Sequence, residues 1–480
     1  MNLQLLTDLY EFSMANGYYA TLPHDRQARF DVFYRRVPDN GSFVIVAGLQ
    51  QVVEQIQNWH FTKENIEYLT SLNEFTPEFL DYLSKIKNHC SIKALPEGTP
   101  VFPREPIISI SGPLIEAQLL ETFILNIINH QSLIATKSWQ INHAAQGRPI
   151  MEFGARRAQG PDAATYGARA AVIGGCTSTS NLQAASKFNI PAAGTMAHAW
   201  VESFSDELSA FQAWAKVYPD KVSLLVDTYD VLKSGVPNAI RVFKQVSAQG
   251  HQPVGIRIDS GDISQLAIKA RKMLDEAGFP DAVISASNDL DEYLIDSLKV
   301  QGCKITSWGV GTHLITSKDW PSFGGVYKLA AIQDAQSGEF IPKIKLSENS
   351  EKITNPGNKK IYRIYEKDTG KIKADLICLA DEIFDPEETM IIFDPVDTWK
   401  KTKVLGGTYE LRELLIPVIR EGKRIYTSPE VMELRKYCQK EQETLWDESR
   451  RLVNPHGVYV DLSQKLYDMK ISLLNQMSQV

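Results

Sequence analysis

The sequence predicts an α/β protein, on two observations. Short apolar runs, "KVSLLVDTYD", "PVGIRIDSGD", "DAVISASND", "KITSWGVGT" and "GVYKLAAI", recur between about residues 131 and 340 with helical stretches between them. The first four end in polar or glycine residues: Asp227 and Thr228, Asp259 to Asp262, Asn288 and Asp289, Gly309 to Thr312. Repeated strand–helix–strand units join through right-handed crossovers, and in an α/β barrel the C-terminal strand ends carry the chemistry.

Taken in order, residues 1–130 read as an N-terminal α+β domain. It opens on a helix-like "MNLQLLTDLYEF", then gives strand-like "ARFDVFYRRVP" and "GSFVIVAGL" and the amphipathic "LQQVVEQIQNWHF". Residues 131–340 form the α/β barrel domain. Within it, "ISQLAIKARKMLDEAGF" carries apolar residues at helical spacing and stops at Gly278 before Pro280. Residues 341–480 read as a C-terminal α+β extension. Lysine-rich turns in "NPGNKKIYRIYEKDTGKIKADLICLA" predict hairpins, and Ser428 to Asn454 predicts one long amphipathic helix opened by Ser-Pro and closed by Asn-Pro.

Composition sets the class. The 480 residues are 43% hydrophobic and 23% charged, enough for a large core in two or three domains. Acids outnumber bases 58 to 51 with no block of five like charges, which excludes an electrostatic nucleic-acid footprint. Five scattered cysteines, at 90, 176, 303, 378 and 438, have no metal-ligand spacing and read as reduced thiols. The start lacks a basic region, and no apolar run approaches the ~18 residues of a membrane span. These features predict a cytoplasmic protein.

Several stretches can carry chemistry. In "RIDSGD" a strand delivers Arg257 and then Asp259 and Asp262 around Ser-Gly; carboxylates suit ribose hydroxyls or Mg2+, and equally cap the following helix. In "GVGT", Gly309 and Gly311 let backbone N–H groups approach a phosphate, and Thr312 adds a hydroxyl. Phe153, with Arg156 and Arg157 close by, suits a flat anionic ring. In "GTMAHAW", His198 stands alone beside apolar residues that follow the β-like "NIPAAG", where a core histidine is the commoner outcome.

Together, "LLTDLYEFSMANGYY", "FGARRAQGPDAA", "GTMAHAW", "LLVDTYDVLKSGVPNA", "RIDSGD" and "GVGT" resemble, in that order, the nicotinate phosphoribosyltransferases. The resemblance runs from residue 3 to about 332, and the rest is compatible with the family's longer form. The resemblance implies an irregular α/β barrel with accessory α+β regions. It also implies a reaction of nicotinate with 5-phosphoribosyl 1-pyrophosphate (PRPP) that yields nicotinate mononucleotide and pyrophosphate. It implies too that ATP hydrolysis is coupled through a phosphohistidine, which falls on His198; the alternatives are a nicotinamide phosphoribosyltransferase and a catalytically inactive barrel that binds pyridine nucleotides.

By the same matching the catalytic residues are His198, Asp227 and Arg257. Tyr10 and Phe153 sandwich the pyridine ring, Tyr10 reaching in from the second subunit of a homodimer. Arg156, Thr195 and Arg257 surround nicotinate or the adjoining ribose. Asp227 and Asp259 meet ribose, Asp259 and Asp262 meet Mg2+, and Gly309, Gly311 and Thr312 lie near the 5-phosphate. Ser178 stands where the related nicotinamide enzymes carry an aspartate, which implies that the acid is the substrate. Ala199 departs from the serine common in the family and bears on a phosphate contact.

Overall fold

The computed structural model describes residues 3–349, 352–397 and 399–477. Two compact units emerge: residues 134–321 with 430–435, and residues 1–133 with 322–429 and 436–480. No helix among the described residues is long and apolar enough to cross a membrane.

The first unit is built on a six-stranded sheet. Its order is Ser178–Thr179, Ile150–Glu152, Ser307–Val310, Val283–Ala286, Gly255–Ile258 and Ser223–Leu225, and every pairing is parallel. Parallel strands covered on both faces must be apolar throughout rather than alternating. Accordingly Leu224, Leu225, Val226, Ile256, Ile258, Ile284, Trp308 and Val310 are all essentially inaccessible. The expected helix forms as Ile263–Glu276; the Asp262 carboxylate caps it by accepting the Gln265 N–H at 3.1 Å, and Gly278 follows at φ +89°.

Ladder closure into a barrel is not observed among the described residues. The two edge strands are two and three residues long and are not paired with each other, whereas a closed ladder needs continuous staggered register. The β-like "NIPAAG" contributes a single bridge, Thr179 to Ala192, rather than a strand.

The second unit holds a seven-stranded and a six-stranded sheet. "GVYKLAAI", expected in the barrel, belongs here: Gly325–Gln333 pairs antiparallel with Gln27–Tyr34, Phe30 opposite Leu329. Lys328 in the middle of that run marks a strand with one wet face, the antiparallel habit. The lysine-rich turns give the expected hairpin, Lys359–Glu366 with Ile372–Leu379.

The long helix expected over 428–454 is shorter. It spans Val431–Glu443 and is followed by a separate 3-10 turn, Asp447–Arg450. Lys371 Nζ stops it by donating to the carbonyls of Glu443 at 2.7 Å and Leu445 at 3.0 Å, and the Trp446 indole N–H turns away to Ile372 O at 2.9 Å. A closing helix, Gln464–Met477, is absent from the sequence reading; its signal is Ser463, whose hydroxyl accepts the Leu466 N–H at 3.3 Å.

The opening helix, Leu9–Thr21, buries a carboxylate. Glu11 is fully inaccessible and accepts a hydrogen bond from the Thr122 hydroxyl. Burial pushes its pKa from 4.5 to about 7. The fold therefore favours protonated Glu11, whose contribution is full below the unfolded pKa and is lost as pH rises through about 7. A shift of that size corresponds to on the order of 3 kcal/mol. Glu11→Gln should remove this component, so the loss of stability that wild type shows between pH 4.5 and 7 becomes shallower in urea titrations. An unchanged pH profile in the variant contradicts the assignment.

Candidate active site at the strand ends

Register places the polar groups. Leu225 and Ser285 both lie opposite Arg257 in the parallel sheet, so two residues further on Asp227 and Ser287 flank Asp259. The contacts follow. Asp227 Oδ2 accepts the Asp259 N–H at 3.0 Å and the Ser260 hydroxyl at 2.6 Å, while the Ser287 hydroxyl donates to Asp259 Oδ1. Asp227 Oδ1 is buried without a hydrogen-bond partner.

Arg257 lies on the same face as Asp259 and uses its whole fork. Nε donates to Ser287 Oγ at 2.8 Å, one terminal nitrogen to Thr195 Oγ1 at 3.0 Å, and the other to Asp259 Oδ1 at 3.2 Å. The guanidinium carbon is 5.8 Å from the centre of the Phe153 ring. A lysine could not make this set, because three acceptors in different directions need a planar multi-donor group.

The 190–193 segment runs along the edge strand, Ala193 N–H to Thr179 O at 3.0 Å, and carries residues 194–198 onto the same rim. His198 opens the short helix His198–Glu202. Its Nδ1 is 3.2 Å from the Thr228 hydroxyl, and Nε2 is 3.9 Å from Asp259 Oδ2. The imidazole is 41% exposed, so an incoming group can reach it.

These side chains bound one open cavity of about 430 Å³, within the range of small-molecule sites. Of the sequence candidates, Phe153, Arg156, Thr195, His198, Arg257 and Asp259 line it. Asp227 stands immediately behind Asp259. Ser178 is buried and does not line the cavity, whereas Ser180 does. Asp262 is spent on the helix cap. Gly309, Gly311 and Thr312 are outside the lining; a Cβ at Gly309 would fall 2.6 Å from the Phe153 ring, so that glycine makes room for the aromatic wall. Tyr10 belongs to the other unit, on the helix Leu9–Thr21, and is 46% exposed.

Sequence reasoning missed Ser287 and Thr228 as contacts. Ser287 had a signal: "ISAS" sets serines at alternate positions of an apolar strand, and the second reaches the strand end. A separate trio, Asp291, His313 and Asp319, has ligand atoms close enough for a metal. The Lys137 ammonium, 3.3 Å from Asp319 and 2.6 Å from Glu292, already supplies a cation there.

Comparison with known proteins places the chain. Residues 5–129 match the nicotinate phosphoribosyltransferase (NAPRTase) N-terminal domain, residues 149–354 the NAPRTase family, and residues 358–470 the nicotinate phosphoribosyltransferase C-terminal domain. A nicotinate phosphoribosyltransferase of Bacillus subtilis is 43% identical over 477 residues, 99% of this chain and 96% of the relative. One of Caenorhabditis elegans is 35% identical over 96% of this chain and 92% of its own. The crystal structure of human nicotinic acid phosphoribosyltransferase superposes with a TM-score of 0.86 at 30% identity, covering 97% of this chain and 99% of that one.

Proposed function

The chain belongs to the nicotinate phosphoribosyltransferase family and is an enzyme of that family, and we propose that it makes nicotinate mononucleotide and pyrophosphate from nicotinate and PRPP, with ATP hydrolysis coupled through His198. The observation that carries the reading is the convergence of His198, Arg257, Asp259 and Phe153 on one cavity. We further read the unit of residues 134–321 as the family's irregular barrel, shorter at its end than the expected 131–340 because Gly325–Gln333 joins the other unit. The five cysteines are buried and form no disulfide, which supports a cytoplasmic setting.

In this reading the pyridine ring lies against Phe153 with its carboxylate toward Arg156. Its nitrogen displaces pyrophosphate at the anomeric carbon, and the positive charge that develops there faces Asp227 and Asp259. No side chain attacks the sugar. Arg257 holds Asp259 and Thr195 in place while presenting positive charge to the anionic substrates. With Nδ1 engaged by Thr228, His198 Nε2 is the nitrogen that takes the phosphoryl group from ATP, releasing ADP; hydrolysis of that phosphohistidine completes the cycle.

Mg2+ fits the unpartnered Asp227 Oδ1 together with Asp259, where it would offset charge on the pyrophosphate. Asp262 caps the next helix through one oxygen and is not among the residues that line the cavity. Acid rather than amide is favoured by Arg156 and Arg257 on the wall. We assign Gly309, Gly311 and Thr312 to the 5-phosphate, as their place at the C-terminal end of a parallel strand supports.

Steady-state turnover tests the reading. Nicotinate should be preferred to nicotinamide by more than ~10-fold in kcat/KM, about 1.4 kcal/mol, and ATP should stimulate nicotinate turnover. His198→Ala should lose that stimulation and keep ATP-independent product formation. Full stimulation in the variant removes His198 from the coupling, and equal use of the amide removes the acid assignment.

Tyr10 is assigned to the ring's second face from a neighbouring subunit, a contact that a two-fold dimer makes twice. Mixing inactive Tyr10→Ala with inactive Asp227→Ala should restore one intact site per heterodimer. Verified subunit exchange without recovered activity rules out the shared site.

A further inference from the structure

Glu152 ends the strand Ile150–Glu152 and has no accessible surface. It stands outside the cavity, and both of its oxygens are bonded to chain neighbours of residues that line it. Oε2 accepts the Thr179 hydroxyl at 2.6 Å, and Oε1 accepts the Gly154 N–H. Its backbone carbonyl takes the Ser180 N–H at 3.0 Å, and Thr179 Oγ1 in turn accepts the Asn181 N–H at 3.0 Å.

The chain leaving Glu152 becomes Phe153, Ala155 and Arg156, which form one wall. The chain leaving Thr179 becomes Ser180, part of another. Gly154 cannot drift in compensation: a Cβ there would meet Ile315 at 2.5 Å and Gly311 O at 2.8 Å, so the turn is already pressed against the "GVGT" loop. We propose that Glu152 is a positioning residue for the base-binding half of the cavity, a buried carboxylate that locks the Phe153–Arg156 turn to the Thr179–Ser180 edge. The proposal rests on the reading that nicotinate lies against Phe153 and Arg156.

A carboxylate buried this deeply costs free energy unless both oxygens are bonded. Burial raises its pKa, and the Thr179 and Gly154 donors oppose the rise. Its two acceptors answer two donors, one from the turn after its own strand and one from the edge strand, which a hydrophobic residue of the same size could not do. Glutamine retains one acceptor for Gly154 and an N–H for Thr179 Oγ1, so the bridge survives in altered form. Alanine removes it from one end and Thr179→Val from the other.

Initial-rate kinetics on Glu152→Ala, Glu152→Gln, Thr179→Val and Arg156→Ala, each checked for folding by near-ultraviolet circular dichroism, test this. Glu152→Ala and Thr179→Val should raise the nicotinate KM about tenfold or more while PRPP KM and kcat stay within about threefold. Glu152→Gln should restore the nicotinate KM to within about threefold. A folded Thr179→Val enzyme with wild-type nicotinate KM overturns the proposal, whether or not Glu152→Ala folds; so does a parallel rise in both KM values. Arg156→Ala separates the two levels. If it raises the nicotinate KM while the bridge variants do not, the base site stands and the role of Glu152 falls. If it too leaves that KM unchanged, the base site itself is misplaced and the proposal falls with it.

Discussion

The Arg257 guanidinium sets the geometry on which the whole rim depends. Its three donors reach Ser287, Thr195 and Asp259, which come from three separate stretches of chain. Satisfying them fixes the spacing of two neighbouring strands and pins the 194–198 segment over their ends. Asp227 then locks onto the backbone of Asp259 from the third strand. The result is a row of groups held by one another before any substrate arrives, which is what electrostatic stabilisation of a short-lived charged species requires.

Burial is uneven across this row, and the unevenness has a chemical sense. Arg257 and Asp259 keep 18% and 30% of their side-chain surface, so their attraction is partly screened by solvent. The pairing is therefore better understood as orientation than as stability. The supports are buried more deeply: Glu152 under the base-binding wall, and Lys137 with Glu292 away from the cavity. Partly exposed groups at the chemistry with buried groups behind them is the arrangement that lets ligands exchange while the geometry persists.

Much of this was legible because parallel strands announce their own ends. An apolar run that stops in Asp, Gly or Thr marks a C-terminal strand edge, and Asp227, Arg257 and Asp259 were found that way. His198 was recognisable only through the ordered motifs around it, since a single histidine near an apolar stretch carries no mark of exposure. Ser178 and Ser180 cannot be told apart by composition; which of them meets the cavity depends on how the edge strand ends. Glu152 was invisible because a glutamate in a sequence does not reveal that its partners are a backbone N–H and a hydroxyl from another strand. The misplacement of "GVYKLAAI" has a simpler origin, for its central lysine already argued against a fully buried parallel strand. The shortened helix at Val431–Glu443 depends on Lys371, 72 residues before the carbonyl of Glu443 that it meets, and no local pattern contains that information.

The most direct test of Arg257 as the organising group keeps its charge and removes its fork. Nicotinate mononucleotide formation from nicotinate and PRPP should be compared between wild type and Arg257→Lys. A planar guanidinium bound three ways predicts a fall in kcat/KM of about 100-fold or more in a folded variant. A lysine enzyme working within about threefold of wild type would show that charge alone suffices, and would contradict the role given to the guanidinium geometry.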